Sequence, residues 1–469
     1  MSAPVIWIVT PVLIALGLWF LRHRTGWVTA LGVTATLILG LLAQVVKIGD
    51  ITQIGPWSVK IIETLPVLGR SLTITADNQP LLMMVFLIAG LWFLGSPVTQ
   101  PNTFLVPLGL AAVSLLVAAL AVKPFLYAAL LIEMAVLCTI PILAPPRQNI
   151  SKAVLRYLIF QTLGMPFILF TGWMLTGVES GPADPELAQR ATLLLGLGFA
   201  FLLAVVPFHT WIPLLTEEAD PYPIGFVFTI FPVVIFFIGL TFIDGYVWLR
   251  ENANLFPFFR LVGTMMIVIG GGWALFQKHL GRMMGFAVIM ISGVLLVSVG
   301  LGSQGGFQLF SGQLVIRFIA FWLWSLSLAV IAEHGGELAF DKTGSFLARF
   351  PFASVGLLMA HLSLAGFPLL AGFPTRLTLF ILMAQQEPGQ TWWIFAGNLG
   401  LVTAALRTLS GLGDREMLAG KRMEEKPAQV FLMILGMLLL LAIGWFPQLF
   451  LAETADLIAM FQHLVGTIP

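Results

Sequence analysis

The chain has 469 residues, of which 59% are hydrophobic and 10% charged, and its formal net charge is +1. Soluble domains carry roughly 25% charged residues, so this composition excludes a water-soluble surface, and the near-zero charge excludes recruitment of nucleic acid by a bulk field. The single cysteine, Cys138, lies in an apolar run and excludes a disulfide framework, a zinc cluster and an iron–sulfur centre.

A membrane helix needs about 20 apolar residues. That yardstick predicts about fourteen spans, near 4–21, 26–46, 79–96, 103–121, 125–144, 153–177, 191–215, 223–243, 260–277, 283–302, 308–332, 352–383, 392–411 and 428–449. The first lacks a basic flank and a small-residue cleavage site, so it reads as a retained span rather than a signal peptide. The stretch 47–78 alternates polar and apolar residues, as in Trp57-Ser58-Val59-Lys60, and predicts a small external hairpin. Span 191–215 holds Pro207 and Pro213 around His209, and span 223–243 holds Pro232. Span 352–383 holds Gly366, Pro368, Gly372 and Pro374. Proline in a helix interior removes a backbone bond, and in lipid the freed carbonyl needs protein or water. Two such breaks some 160 residues apart, each beside an ionisable residue, predict a transport site in a repeat-built protein.

Loop charge predicts orientation. With the N-terminus outside, the inner side carries Arg22, Arg24, Arg147, Lys152, Arg156, Lys278, Arg282, Lys342, Arg349, Arg407, Arg415, Lys421, Arg422 and Lys426. The outer side carries only Lys47, Lys60, Arg70, Lys123, Arg190, Arg250 and Arg260. This asymmetry of 14 against 7 predicts both termini outside and an even number of spans. Glu217, Glu218 and Asp220 read as solvated loop charge.

Ionisable residues inside the spans are few, and each is costly in lipid. Glu133 falls near the midplane, either as a proton site or as half of a buried pair. Arg317 and Arg376 are the cations well inside spans; arginine holds its proton, so it serves to hold a carboxylate, bind an anion or set a potential, or, at Arg376, to satisfy broken-helix carbonyls. His209 and His361 titrate near neutral pH and suit a proton relay, or else pack as hydrogen-bonded helix residues.

Several motifs resemble, in order, those of a known family. They are Asp77-Asn78-Gln79-Pro80-Leu81; Arg156-Tyr157-Leu158 through Gln161; Pro207-Phe208-His209-Thr210-Trp211-Ile212-Pro213 followed by Pro221-Tyr222-Pro223; Lys278-His279-Leu280-Gly281-Arg282; Gly344-Ser345-Phe346 to Pro351; and Leu362-Ser363-Leu364-Ala365-Gly366-Phe367-Pro368 with Ala371-Gly372-Phe373. The chain thereby resembles the antiporter-like membrane subunits of respiratory complex I, shared with Mrp-type cation/proton antiporters and membrane-bound hydrogenases. The resemblance covers roughly 70–450 and implies an all-α polytopic membrane protein with two inverted five-helix repeats, spans 4–8 and 9–13, in which helices 7 and 12 are broken. Residues 1–102 would then hold three helices and the external hairpin, 103–243 the first repeat, 244–411 the second, and 412–469 the last helix and tail. The chain stops soon after its fourteenth span, like the shorter members that lack a long lateral helix.

The family's proton path uses a glutamate on helix 5, lysines on helices 7 and 8, a lysine or histidine on helix 11, and a lysine or glutamate on helix 12. Glu133 matches the first. The next two positions fall on Leu202 and Val234, and the last two on Arg317 and Arg376. No relay lysine is present, so the usual path is interrupted between Glu133 and the centre, with water, His209 and His361 as partial replacements. The resemblance implies a proton-translocating subunit of a complex I-like NADH:quinone oxidoreductase, packed against other membrane-arm subunits in a prokaryotic cytoplasmic membrane and moving protons or Na+. It implies neither a metal nor a redox cofactor on this chain. An Mrp-type antiporter subunit and a non-conducting structural subunit stay open.

Overall fold

The computed structural model describes residues 2–54, 57–67, 69–99, 102–144, 150–175, 184–335, 337–412 and 423–466. Arg147, Arg415, Lys421 and Arg422, part of the inner-side charge, lie outside the described residues.

Helices follow the apolar stretches closely. In chain order they are α1 (Thr10–Phe20, preceded by a π-helical turn Val5–Val9), α2 (Thr25–Val45), α3 (Gln79–Gly95), α4 (Leu105–Ala121), α5 (Ala128–Leu143), α6 (Lys152–Met174), α7 (Pro185–Leu202), α8 (Trp211–Glu218), α9 (Pro221–Gly245) and α10 (Val247–Arg250). The second half adds α11 (Leu255–Phe276), α12 (Leu280–Gly300), α13 (Gln304–Glu333), α14 (Phe346–Arg349), α15 (Pro351–Leu364), α16 (Gly372–Gln386), α17 (Pro388–Leu412), α18 (Pro427–Trp445), α19 (Pro447–Thr454) and α20 (Gln462–Gly466). Proline sets many of these boundaries: Pro185, Pro221, Pro351, Pro388, Pro427 and Pro447 each open a helix, where the missing N–H is no loss.

Among the described residues nine helices are long and apolar enough to cross a membrane, or ten when α14 and α15, bent by 120°, are taken together. The other predicted spans are the shorter apolar helices Val5–Phe20 and Leu105–Ala121, the two broken stretches, and α17, which carries Gln390, Asn398 and Arg407. α9, α12 and α13 run through the centre and are almost wholly buried. Close approach of neighbouring helices rests on small residues. Gly271 of α11 lies so near Gly397 of α17 that a Cβ there would overlap the facing backbone.

The external segment is more elaborate than one hairpin. β1 (Ile51–Ile54) pairs antiparallel with β2 (Trp57–Lys60), and β3 (Thr64–Val67) pairs with β4 (Arg70–Thr73). β4 also pairs with β5 (Val122–Lys123), which joins α4 to α5. The Arg70 guanidinium lies 4.3 Å over the Tyr127 ring and donates to its hydroxyl. Beyond α18 the chain folds back across one end of the bundle. Asp244 Oδ1 accepts from the backbone N–H groups of His463 (2.9 Å) and Leu464 (2.8 Å), while Phe461 stacks on Phe237 at 5.8 Å.

The loop before α18 secures the bend between α14 and α15. Arg349 forms a bidentate pair with Glu424 at 2.7 and 2.8 Å, and that contact holds the guanidinium pKa above its usual value. Glu425 accepts from the backbone N–H groups of Phe352 (3.2 Å) and Ala353 (2.6 Å), satisfying donors left free at the start of α15. Burial raises the Glu425 pKa, and the two N–H donors oppose that shift. Glu425→Ala leaves both donors unpaired and is expected to cost about 0.5–2 kcal/mol, read as a lower thermal midpoint of the purified protein in detergent.

Candidate functional site

Both breaks terminate their first half-helix in the same way. In the first, Leu203 donates to Phe199, Ala204 to Phe201 and Val205 to Ala200. In the second, Ala365 donates to His361, Gly366 to Ser363 and Phe367 to Leu362. This is a Schellman-type cap, whose turn residue needs left-handed backbone. Gly366 has φ 71° and supplies it without strain, whereas Ala204 at φ 51° adopts it as a non-glycine residue. Leu369, beyond the second cap, is also left-handed at φ 71°. Strained backbone persists where surrounding structure imposes it, commonly at functional sites.

The second break encloses Arg376. The side chain is 3% exposed and donates from Nη2 to the Leu364 carbonyl at 2.8 Å. That carbonyl ends α15, where the helix dipole favours a cation. Asn398 of α17 donates to the adjacent Ala365 carbonyl at 2.9 Å. Arg376 Nε and Nη1, Asn398 Oδ1 and Ser363 Oγ have no protein hydrogen-bond partner. Unsatisfied groups in this density fit ordered water. A Cβ on Gly366 would stand 2.7 Å from Arg376 Cβ and Cγ. Gly366→Ala therefore meets both a left-handed φ and a displaced guanidinium, and it is expected to lower stability by about 1–2 kcal/mol, again read as thermal midpoint. At Gly372 an added Cβ would overlap the Ser363 carbonyl. Pro368 sits on the exposed rim of the break, and Pro374 lies within the first turn of α16.

Arg317, fully buried on α13, is explained by Pro232. A proline leaves the carbonyl four residues earlier without its helical donor, and here that carbonyl belongs to Phe228. Arg317 Nη2 donates to it at 2.8 Å, and Nη1 donates to Ser292 Oγ at 3.3 Å. The guanidinium lies 5.3 Å over the Phe321 ring. Among the described residues neither intramembrane arginine has an acidic partner.

Phe228 and Ser292 also line a small cavity beside the first break, with Tyr157, Gln161, Leu202 and Trp211. It has room for about one water molecule. Tyr157 and Thr139 hydroxyls meet at 2.9 Å, and Gln161 donates to the Leu202 carbonyl at 3.2 Å. Leu202 thus borders the polar centre, while Val234 is buried in α9. Further along the line of α13, past the apolar stretch 318–323, Trp324 stacks its ring on His361 at 4.5 Å.

Glu133 stands apart from this line. It is half-buried on the α5 face turned toward α6 and accepts from Thr162 Oγ1 at 2.8 Å. It has no ion-pair partner among the described residues, and its bond to Thr162 joins it to a neighbouring helix. Its carboxyl is within electrostatic reach of the Tyr157 hydroxyl. Leu130, Met134 and Leu137 on either side of it are exposed. His209 is half-buried in the first break, with Nδ1 unpartnered, beside exposed Pro207; Pro213 is buried within α8. The loop acids are more engaged than free solvated charge. Glu217 pairs with Arg282 at 3.5 Å and Glu218 accepts from Ala153 N–H at 3.2 Å, linking the end of α8 to α12 and α6.

Sequence reasoning missed Ser292, Trp324 and Asn398, which carry no charge and so do not stand out in a membrane helix. It had a usable signal for the Arg317 acceptor, since Pro232 marks the Phe228 carbonyl as free.

Long apolar helices interrupted by two breaks, each beside buried polar groups, define a polytopic membrane protein. A family model described as NADH:quinone oxidoreductase/Mrp antiporter, TM, matches residues 124–403, and the chain belongs to that family. It is 29% identical over 265 residues to the NADH-quinone oxidoreductase subunit N of Ectopseudomonas mendocina, covering 52% of this chain and 51% of that protein. The chain thus matches about half the length of that curated relative. In fold it is similar to a chain of the archaeal membrane-bound sulfane sulfur reductase (TM-score 0.81, 16% identity, 99% and 98% coverage). It is also similar to a chain of Thermus thermophilus respiratory complex I (TM-score 0.76, 19% identity, 99% and 100% coverage). The fold is that of this family, and the chain is an integral membrane protein.

Proposed function

We propose that this chain is a membrane-arm subunit of an NADH:quinone oxidoreductase-type assembly and moves protons through a relay that lacks lysine. The observation that carries this is Glu133, the one carboxyl at mid-span among the described helices, hydrogen-bonded to Thr162 of α6, the helix that also lines the small cavity of the first half. A carboxyl this exposed is expensive against acyl chains, so the α5–α6 face is read as covered by a neighbouring membrane subunit whose charge state shifts Glu133. Both buried arginines are held on freed carbonyls and act as fixed positive charge. The side chains assigned to proton exchange are Glu133, His361 and His209, with water between them. The two repeats are assigned to 103–243 and 244–411, after a three-helix segment at 1–102 and before the last helix and tail at 412–469. The loop-charge asymmetry supports an orientation with both termini on the outer side of a prokaryotic cytoplasmic membrane.

The test is NADH-driven proton uptake by membrane vesicles carrying the assembled complex. Co-purification with other membrane-arm subunits and a lower proton yield in relay variants are expected. An Mrp-type antiporter subunit is equally covered by the family description; cation/proton exchange without NADH would select it. The fixed arginines favour one further reading, a non-conducting scaffold. Unchanged proton yield in every relay variant, with assembly lost on Arg376→Ala, would select that.

A further inference from the structure

We infer that the turn between α1 and α2 holds the phosphate of an anionic phospholipid headgroup. The turn reads Arg22-His23-Arg24, at the end of an apolar helix where a headgroup layer begins. A cavity opens beside it, lined by Arg22, Thr25 and Thr29 on one wall and by Ser96, Asn102 and Thr103 on the other. The site is preorganised. Arg22 Nη1 donates to the Trp19 carbonyl at 3.2 Å, and its guanidinium lies 4.8 Å over the Trp19 ring, which in turn packs on Phe104 at 5.5 Å. Arg22 Nη1 is thereby fixed, and the side chain lines the cavity. The hydroxyls of Thr25, Thr29, Ser96 and Thr103 make no side-chain hydrogen bond among the described residues and stand free to donate to phosphate oxygens. Guanidinium and hydroxyl donors together suit a planar-fork contact to phosphate.

Charge points to the same ligand. Neither 2–49 nor 78–132, the stretches that build both walls, contains an aspartate or glutamate. Two guanidiniums concentrated at one turn without an acid create a local field that an anion compensates. A lipid is favoured over free phosphate because the apolar flank continues below the turn: Leu13, Leu16 and Phe20 of α1 are exposed and offer a bed for acyl chains, and Trp27 lies exposed at headgroup level. The inference rests on the proposed placement of this turn at the inner surface, where anionic lipid gathers. It is independent of proton conduction, so failure of one does not imply failure of the other.

The test is native mass spectrometry of the full-length protein released from nanodiscs of phosphatidylcholine containing phosphatidylglycerol. Wild-type protein is expected to retain phosphatidylglycerol in preference to phosphatidylcholine. Arg22→Gln should weaken that retention by about tenfold, Arg22→Lys by less, and the distant inner-surface control Lys278→Gln not at all. Equal retention by wild type and Arg22→Gln overturns the inference, as does equal retention of phosphatidylcholine. Displacement of the lipid by millimolar inorganic phosphate would make the ligand free phosphate and overturn the lipid assignment. Should Arg22→Gln fail to fold, wild-type protein with a headgroup-photoactivatable phosphatidylglycerol decides the matter. Labelling is expected within 19–29 or 96–104, and labelling confined to other segments overturns the inference.

Discussion

Glu133→Gln is expected to reduce NADH-driven proton transfer through this chain by about tenfold or more, with assembly intact. Glutamine is isosteric and keeps an acceptor for Thr162 Oγ1, so the 2.8 Å contact and the packing of α5 on α6 survive. What disappears is the exchangeable proton. Among the described residues no second carboxyl lies mid-helix to substitute, because the acids engaged elsewhere sit at helix ends or loops: Glu217 on Arg282, Asp244 beneath the tail, Glu333 on Lys426. Thr162→Val separates charge from hydrogen bonding. It deletes the donor but leaves the carboxyl, and a smaller loss is expected. Proton yield per NADH oxidised, in vesicles normalised to assembled complex, is the measurement. An unchanged yield in Glu133→Gln would remove the anchor of the relay.

Much of the architecture was legible in the sequence because the bilayer imposes simple rules. Apolar length gave the helices, and proline marked where they start. Pro207, Pro213, Gly366 and Gly372 located the two breaks. Other features had no local signature. The Schellman cap at Ala204 contains no glycine, so nothing in the residue string distinguishes it from helix; tertiary packing imposes the left-handed φ. The His361–Trp324 stack and the Asn398–Ala365 contact join helices distant in sequence and depend on their relative rotation. The placement of Glu133 at a half-exposed surface, instead of on the central line, follows from which face of α5 meets α6, and an all-round apolar helix does not reveal that. The arginines were partly legible. A cation paired with a broken helix predicts a carbonyl acceptor, and the Leu364 and Phe228 carbonyls supply one each.

The second large effect concerns the position where a relay lysine is missing. Leu202→Lys is expected to raise proton transfer by about tenfold, whereas Leu202→Met, of similar volume, leaves it unchanged. Leu202 lines the cavity shared by Tyr157, Gln161, Trp211, Phe228 and Ser292. A lysine stem follows the path of the leucine side chain and would bring its ammonium to the Tyr157 hydroxyl and Ser292 Oγ. Two effects then depress its proton affinity: desolvation, and the fixed Arg317 charge held against the same Ser292 and Phe228. A lysine destabilised in this way gives up and regains its proton readily, which the arginine beside it does not. The gain should depend on Glu133, since a new carrier at the centre needs a proton source at the edge. Transfer in the Leu202→Lys, Glu133→Gln double variant is therefore expected to fall to the level of Glu133→Gln alone. If the lysine raises transfer equally with and without Glu133, the two sites do not lie on one path, and protons reach the centre by another route.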